Sequence, residues 1–256
     1  MACIGWTELC STDPDASARF YARLLGWERR PQELTHGART LEYSLFTHGE
    51  RNVAGMHAMV GAQRKRGTRP HWLCHVFIED LVAGMERARS RGGHLLSEPL
   101  DVLELGRLAL LRDPQGALFG LWEPRQLGSE FQTRGELGCA SWFEHVSADA
   151  RAAAQFYAEL CGWSAPEPRA DEPLRTLEHA GEPLAGMRSI DSLGARLAPQ
   201  WLPYFRVANC DETCGQLESL RASVLLPPAE RAPARRGAVA LDPTGAPVGL
   251  LSSAEH

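Results

Sequence analysis

The sequence predicts an α+β fold of two tandem domains, each assembled from two βαβββ modules. Three observations carry this. Residues 6–27 ("WTELCSTDPDASARFYARLLGW") and 142–163 ("WFEHVSADARAAAQFYAELCGW") are identical at twelve of 22 positions. Three shorter echoes follow in the same order: Ala54-Gly55-Met56 with Ala185-Gly186-Met187, Trp72-Leu73 with Trp201-Leu202, and "DPQGA" (113–117) with "DPTGA" (242–246). Four matches in register mark an internal duplication. Finally, a strand-then-helix pattern restarts inside the first half, at residues 71–93. The domains are therefore placed at 1–126 and 136–256, with residues 127–135 of a polar, glycine-bearing stretch as the linker.

The elements follow in order. "WTELCS" alternates in the manner of a strand. Asp13 offers an N-cap, Pro14 suits the first helical position, and Gly26 supplies the stop. Between them Phe20, Tyr21, Leu24 and Leu25 form an apolar stripe at helical spacing. "TLEYSLFTHG" and "NVAGMHAM" read as strands. "HWLCHVFIE" is the strand that reopens the pattern, and "DLVAGMERARSRGG" is its helix with a glycine stop. "HLLSEP", "GRLALLRD" and "ALFGLWEP" are strands, the last two joined by the turn signal "DPQGA". The second half repeats this with "WLPYFRV", a helix from about residue 211 to 223, and "VGLLSS".

Composition excludes several classes. The net charge of −5 gives no global attraction to nucleic acid. The one basic run, "QRKRGTR" (63–69), lacks interleaved aromatics and reads as a solvated loop. No apolar stretch approaches the roughly 20 residues that span a bilayer, and "MACIGWTEL" lacks the pattern of a secretory signal. Seven cysteines, an odd number without C-x-x-C, argue against a disulfide framework and for a reducing cytoplasm. Cys210 and Cys214 read as ordinary thiols, not zinc ligands.

Paired βαβββ modules, "FYxxLxGW" after a first strand and "DPxGAxxxLW" at the end of a half resemble the vicinal oxygen chelate superfamily, which includes glyoxalase I, extradiol dioxygenases and bleomycin resistance proteins. The resemblance covers nearly the whole chain and is similar to the tandem, two-domain form. It implies that the two modules of a half curve a sheet around one cleft, with helices outside. It also implies a metal held by two side chains from first strands, usually histidine, and two from last strands, usually glutamate. The corresponding residues here are Trp6, Leu73, Trp142 and Leu202, and Gly55, Gly120, Gly186 and Gly249. None can coordinate a metal through its side chain. The expectation is therefore no metal and no cofactor. Either a flat organic ligand lies where the metal would be, or the indoles plug that space.

Strand alternation assigns the remaining candidates. Trp6 and Glu8 share the cleft face, as do Trp142 and Glu144. Leu73, His75 and Phe77 line the first cleft with Gly120 and Trp122. Tyr204 and Arg206 follow from Leu202. Arg107 lies near the rim or floor. Glu8 and His75 form a candidate acid–base pair, with a carboxylate raised by neighbouring indole abstracting a proton. The plainer alternative has Glu8 accept hydrogen bonds from a pocket tryptophan or an arginine. His71 and His75 would lie roughly 13 Å apart on a strand, too far for one ion.

Three functions stay open. The first is metal-independent binding of a small, aromatic molecule for sequestration or resistance. The second is a metal-free isomerase, cyclase or lyase using Glu8 and His75 for proton transfer. The third is a metal-dependent lyase or dioxygenase. The expected partner is a small-molecule ligand, with no nucleic acid and no membrane, in a monomer or homodimer. Gly120→Leu is expected to block the first cleft, and Gly249→Leu to spare it.

Overall fold

A computed structural model of the chain describes residues 2–36, 39–126, 135–168, 174–193, 197–232 and 235–253. Most of the expected linker, 127–134, lies outside the described residues. The strands fall into two curved sheets with few helices, the expected α+β class.

Four modules run along the chain. The first holds β1 (Cys3–Ser11), α1 (Pro14–Leu25), β2 (Glu28–His36), β3 (Arg39–His48) and β4 (Arg51–Ala58), followed by a short helix α2 (Gly61–Lys65). The second holds β5 (His71–Phe77), α3 (Leu81–Ser90), β6 (His94–Leu95), β7 (Leu100–Val102), β8 (Gly106–Arg112) and β9 (Leu118–Pro124). The third holds β10 (Ala140–Ser147), α4 (Ala150–Cys161), β11 (Arg175–His179) and β12 (Glu182–Ser189). The fourth holds β13 (Gln200–Arg206), α5 (Cys210–Gln216), β14 (Ser223–Ala232), β15 (Arg235–Leu241) and β16 (Pro247–Ser253). In every module the first strand lies parallel to the last: β1 with β4, β5 with β9, β10 with β12, and β13 with β16.

The helix signals act as read. Asp13 accepts from Ala16 N and Asp149 from Ala152 N, satisfying donors that a helix start leaves open. Gly26 and Gly162 both close their helices at φ 71°, a conformation that costs glycine nothing. Two expectations shift. The basic run is not all loop, since Gln63, Arg64 and Lys65 end α2. Gln63 folds its side-chain oxygen back onto the Val60 N–H and so starts that turn. The fourth-module helix stops at Gln216 and continues as a 3-10 turn over Glu218–Leu220.

The chain packs into two compact units. Of the described residues, unit 1 takes those within 1–5, 73–128 and 143–202, and unit 2 those within 6–72, 129–142 and 203–256. Each unit thus takes modules from both sequence halves. Unit 2 is centred on Tyr21, Trp27, Phe46, Trp72 and Phe205. Its ring centroids include Trp27–Phe205 at 4.9 Å and Tyr21–Trp72 at 5.5 Å. Unit 1 has its own cluster, with Phe119–Tyr157 at 5.4 Å and Tyr157–Trp201 at 4.9 Å.

The repeated motifs explain themselves here. In unit 2 the Tyr21 hydroxyl of "FYARLLGW" donates to Asp242 Oδ2 of "DPTGA" at 3.3 Å. In unit 1 the Tyr157 hydroxyl of "FYAELCGW" donates to Asp113 Oδ2 of "DPQGA" at 3.1 Å. Each aspartate also caps its own turn by accepting the N–H groups of residues two and four further on. One buried carboxylate therefore shapes a turn and anchors a helix from the other half of the sequence.

Candidate functional site

Parallel pairing of first and last strands puts four residues opposite four glycines. The register pairs are Glu8 with Gly55, His75 with Gly120, Glu144 with Gly186, and Tyr204 with Gly249. Strand alternation therefore faces each candidate with the very glycine that the family resemblance assigns to a metal ligand.

In unit 2, Trp6 and Glu8 are half-buried while Thr7 and Leu9 are buried, the expected alternation. The Tyr43 hydroxyl donates to Glu8 Oε1 at 2.8 Å and accepts from Trp6 Nε1 at 3.3 Å. Burial pushes that hydroxyl well above its ordinary pKa, and the charge of Glu8 adds to the rise, so Tyr43 stays a donor. A Cβ on Gly55 would lie 1.9 Å from the Tyr43 oxygen and 3.0 Å from Glu8 Cγ. Sequence reasoning missed Tyr43. It lies on β3, away from every repeated motif, and enters through its antiparallel pairing with β4.

The other glycines tell a similar story. In unit 1, His75 is 2% exposed, and a Cβ on Gly120 would lie 2.2 Å from its Nδ1. In unit 2, Tyr204 is wholly buried, and a Cβ on Gly249 would lie 2.3 Å from its ring. The volume above these glycines is filled by the side chain across the strand pair. Gly249→Ala is accordingly expected to destabilise unit 2 by about 1–3 kcal/mol, the usual cost of overpacking. A denaturation series checks this, since the same substitution should cost far less beside Tyr204→Ala; equal costs in the two backgrounds would exclude the clash. Gly120→Leu would likewise first strike His75, so its effect measures packing as well as access.

The remaining candidates divide between the units. In unit 1, Leu73 and Phe77 are buried, the Phe77 ring lying 2.5 Å from where a Cβ on Gly5 would be. Trp122 is half-buried, and Arg107 approaches Glu123 at 3.6 Å. Glu144 is fully buried and receives a two-pronged bond from Arg188, Nε at 2.6 Å and Nη2 at 2.9 Å. This fork matches carboxylate geometry. Arg188, like Tyr43, belongs to no repeated motif; its counterpart is His57. In unit 2, Trp142 is buried beneath Arg235, whose guanidinium carbon lies 5.4 Å from the ring centre. Arg206 Nη1 donates to Gly135 O at 2.5 Å and Nη2 to Ser253 Oγ at 3.3 Å. Glu8 and His75 belong to different units.

The donor set does not fit the metal of the family resemblance. Indole, isobutyl and hydrogen stand at the eight positions, and the space beside three of the glycines is taken by Tyr43, His75 and Tyr204. Among the described residues no other group of three or more His, Cys, Asp or Glu side chains is gathered as a metal site.

Four modules with parallel first and last strands define a glyoxalase-type α+β protein. The profile of the Glyoxalase/Bleomycin resistance protein/Dioxygenase superfamily matches residues 3–121. The anthracycline biosynthesis protein DnrV of Streptomyces peucetius is 31% identical over 253 residues, covering 94% of this chain and 90% of that protein. The putative glyoxylase CFP32 of Mycobacterium tuberculosis is 27% identical over 252 residues, covering 97% and 94%. The chain belongs to the Glyoxalase/Bleomycin resistance protein/Dioxygenase superfamily. Solved structures agree on the fold. The 2,2',3-trihydroxybiphenyl 1,2-dioxygenase of Sphingomonas wittichii gives a TM-score of 0.64 at 12% identity, over 99% of this chain and 91% of that one. The Mn(II)-bound glyoxalase of Novosphingobium aromaticivorans gives 0.61 at 14%, over 100% and 84%.

Proposed function

We propose that this chain binds a small, aromatic organic molecule on the concave side of its sheets without a metal, in a sequestration, resistance or tailoring role. The observation that carries this is the replacement of all eight ligand positions by Trp, Leu and Gly. The same pattern stands in both halves, 1–126 and 136–256, which we take as the duplicated domains. In unit 2 the half-exposed indole of Trp6, with the Tyr43–Glu8 pair as a polar anchor, supplies the apolar surface and few oriented groups that ligand sites use, and in unit 1 the half-exposed indole of Trp122 offers such a surface of its own. Leu73, Phe77, Arg107, Gly120, Trp142, Glu144, Tyr204 and Arg206 complete the set of ligand-facing candidates. The name of the Streptomyces relative supports a fused-ring aromatic ligand, since anthracyclines are flat molecules of that kind.

A second reading is favoured by one contrast. Glu144 is fully buried, whereas Glu8 is half-buried and accepts a bond from the Tyr43 hydroxyl. Glu8 is thus the carboxylate that a substrate could reach to give up a proton, and His75 is the separate candidate of unit 1, in a metal-free isomerase, cyclase or lyase. Seven free cysteines and a net charge of −5 support a reducing cytoplasm and no nucleic-acid partner. No helix among the described residues is long and apolar enough to cross a membrane. We take the protein as a monomer or homodimer.

The test is elemental analysis of protein purified without chelator, followed by solvent extraction and mass spectrometry of what it carries. Substoichiometric zinc, nickel, manganese and iron, with an aromatic compound that quenches tryptophan fluorescence on re-addition, is expected. One metal per chain, lost on changing Glu8 or His75, would overturn the reading.

A further inference from the structure

Unit 2 carries a second feature on the helical side. A surface groove of about 330 Å³ is lined by Arg19, Arg23 and Arg221, with Ala16, Leu220 and Pro243 among its walls. Arg19 and Arg23 lie four apart on α1 and so share one face. Among the described residues, none of the three guanidinium groups is hydrogen-bonded or ion-paired. Like charges at this spacing repel and give the fold nothing.

The duplication supplies an internal control. The same corner of unit 1 is built by α4 and the end of α3. There Gln155 and Glu159 replace Arg19 and Arg23, Arg91 replaces Leu220, and Gly92 replaces Arg221. Glu159 accepts from Gln155 at 3.1 Å and is ion-paired with Arg91. That corner is formally neutral and internally satisfied. In unit 2 the acid at the Glu159 position is replaced by Arg23, and three arginines line one groove, with Glu218 on the neighbouring turn outside the lining.

Backbone conformation adds a second, independent sign. Gly92 adopts φ 86°, which glycine accepts freely. Arg221 stands at the equivalent place with φ 59°, in the left-handed region that L side chains rarely adopt. Glycine is the ready solution, and the sister module uses it. Strain kept at such a place is characteristic of binding sites.

We propose that this groove binds a small phosphate-bearing anion, its oxygens held by Arg19, Arg23 and Arg221. Guanidinium groups match phosphate oxygens with paired donors, and a di-anion would relieve the repulsion among the three. The groove has room for a phosphate or diphosphate group, and its apolar walls suit the body of an organic ester.

Isothermal titration of the intact chain with inorganic pyrophosphate at low ionic strength tests this. Saturable binding near one equivalent, with a rise in Tm, is expected. Arg19→Gln with Arg23→Glu, which copies unit 1, should weaken binding at least tenfold. Arg221→Gly separates binding from folding: it should keep or raise the Tm in buffer, because the strain is removed, yet weaken pyrophosphate at least tenfold. No saturable binding by the parent, or variants that bind as the parent does, would overturn the proposal. So would tighter binding of a single-stranded DNA oligomer than of pyrophosphate, which would make the groove a polymer track.

Discussion

Arg188→Ala is expected to cost unit 1 about 3–5 kcal/mol, the usual penalty for breaking a buried ion pair from one side. Glu144 has no exposed surface, and both its oxygens are held by the Arg188 fork. Removing that fork leaves a negative charge in a place that water does not reach. Arg188→Lys should recover only part of the loss, because an ammonium cannot donate two parallel bonds from a planar group. Changing both partners together, Glu144→Leu with Arg188→Met, should cost much less than Arg188→Ala, since no charge is then stranded. Denaturant unfolding measures the size, and hydrogen exchange in β10 and β12 places it. A cost below 1 kcal/mol for Arg188→Ala would show that the pair contributes little to the fold.

His145→Leu is the second large effect, expected at about 1.5–3 kcal/mol for the loss of a buried hydrogen bond to a charged group. His145 Nε2 and Asp113 Oδ2 lie 2.6 Å apart, both fully buried in unit 1. Leucine is the right replacement, because Leu9 occupies the corresponding place in the first half. The two aspartates differ accordingly. Burial pushes Asp113 up, but the His145 bond and charge, with the Ala117 N–H and the Tyr157 hydroxyl, outweigh it and hold the carboxyl below its ordinary value. Burial also pushes Asp242 up, and there the bonds from Thr244, Ala246 and Tyr21 fall short, so it ends above its ordinary value.

The pH dependence follows in sign. A depressed carboxylate stabilises the fold above its unfolded pKa of roughly 3.9 and loses that contribution as pH falls through the folded value. Asp113 therefore acts against acid unfolding only while ionised. A raised carboxylate behaves oppositely: the contribution of Asp242 is complete below the unfolded pKa and fades as pH rises through the folded value. In His145→Leu, Asp113 should move upward to resemble Asp242. The stability gap between parent and variant should then shrink below about pH 4 and widen above it. Carbon-13 titration of the aspartate carboxyls reads the shift directly. An Asp113 pKa unchanged by the substitution would show that histidine only fills space there.

Much of this was legible in the residues. The duplicated "FYxxLxGW" and "DPxGA" stretches, the Asp13 cap and the Gly26 stop are local signals, and each sits where it was read. Strand alternation placed Trp6 and Glu8 on one face and Thr7 and Leu9 on the other. The glycines were legible as identities but not in meaning. An absent side chain reads as space along a sequence, whereas strand register shows whose side chain takes that space. Tyr43 and Arg188 were illegible for a related reason. They reach Glu8 and Glu144 from strands distant in sequence, and no repeat marks them.

The sequence by itself determined the module, its fourfold use, the family resemblance and the absence of donor side chains at the ligand positions, because identity, periodicity and capping act over a few residues. Only the tertiary structure decided which modules share a core and what the buried groups touch. Tyr21 meets Asp242 across 221 residues, and Tyr157 meets Asp113 across 44. A hydroxyl and a carboxylate carry no mark of their partner in the chain. The choice between otherwise equivalent pairings is made by apolar faces closing on one another, and that free energy belongs to the packed unit and not to any segment.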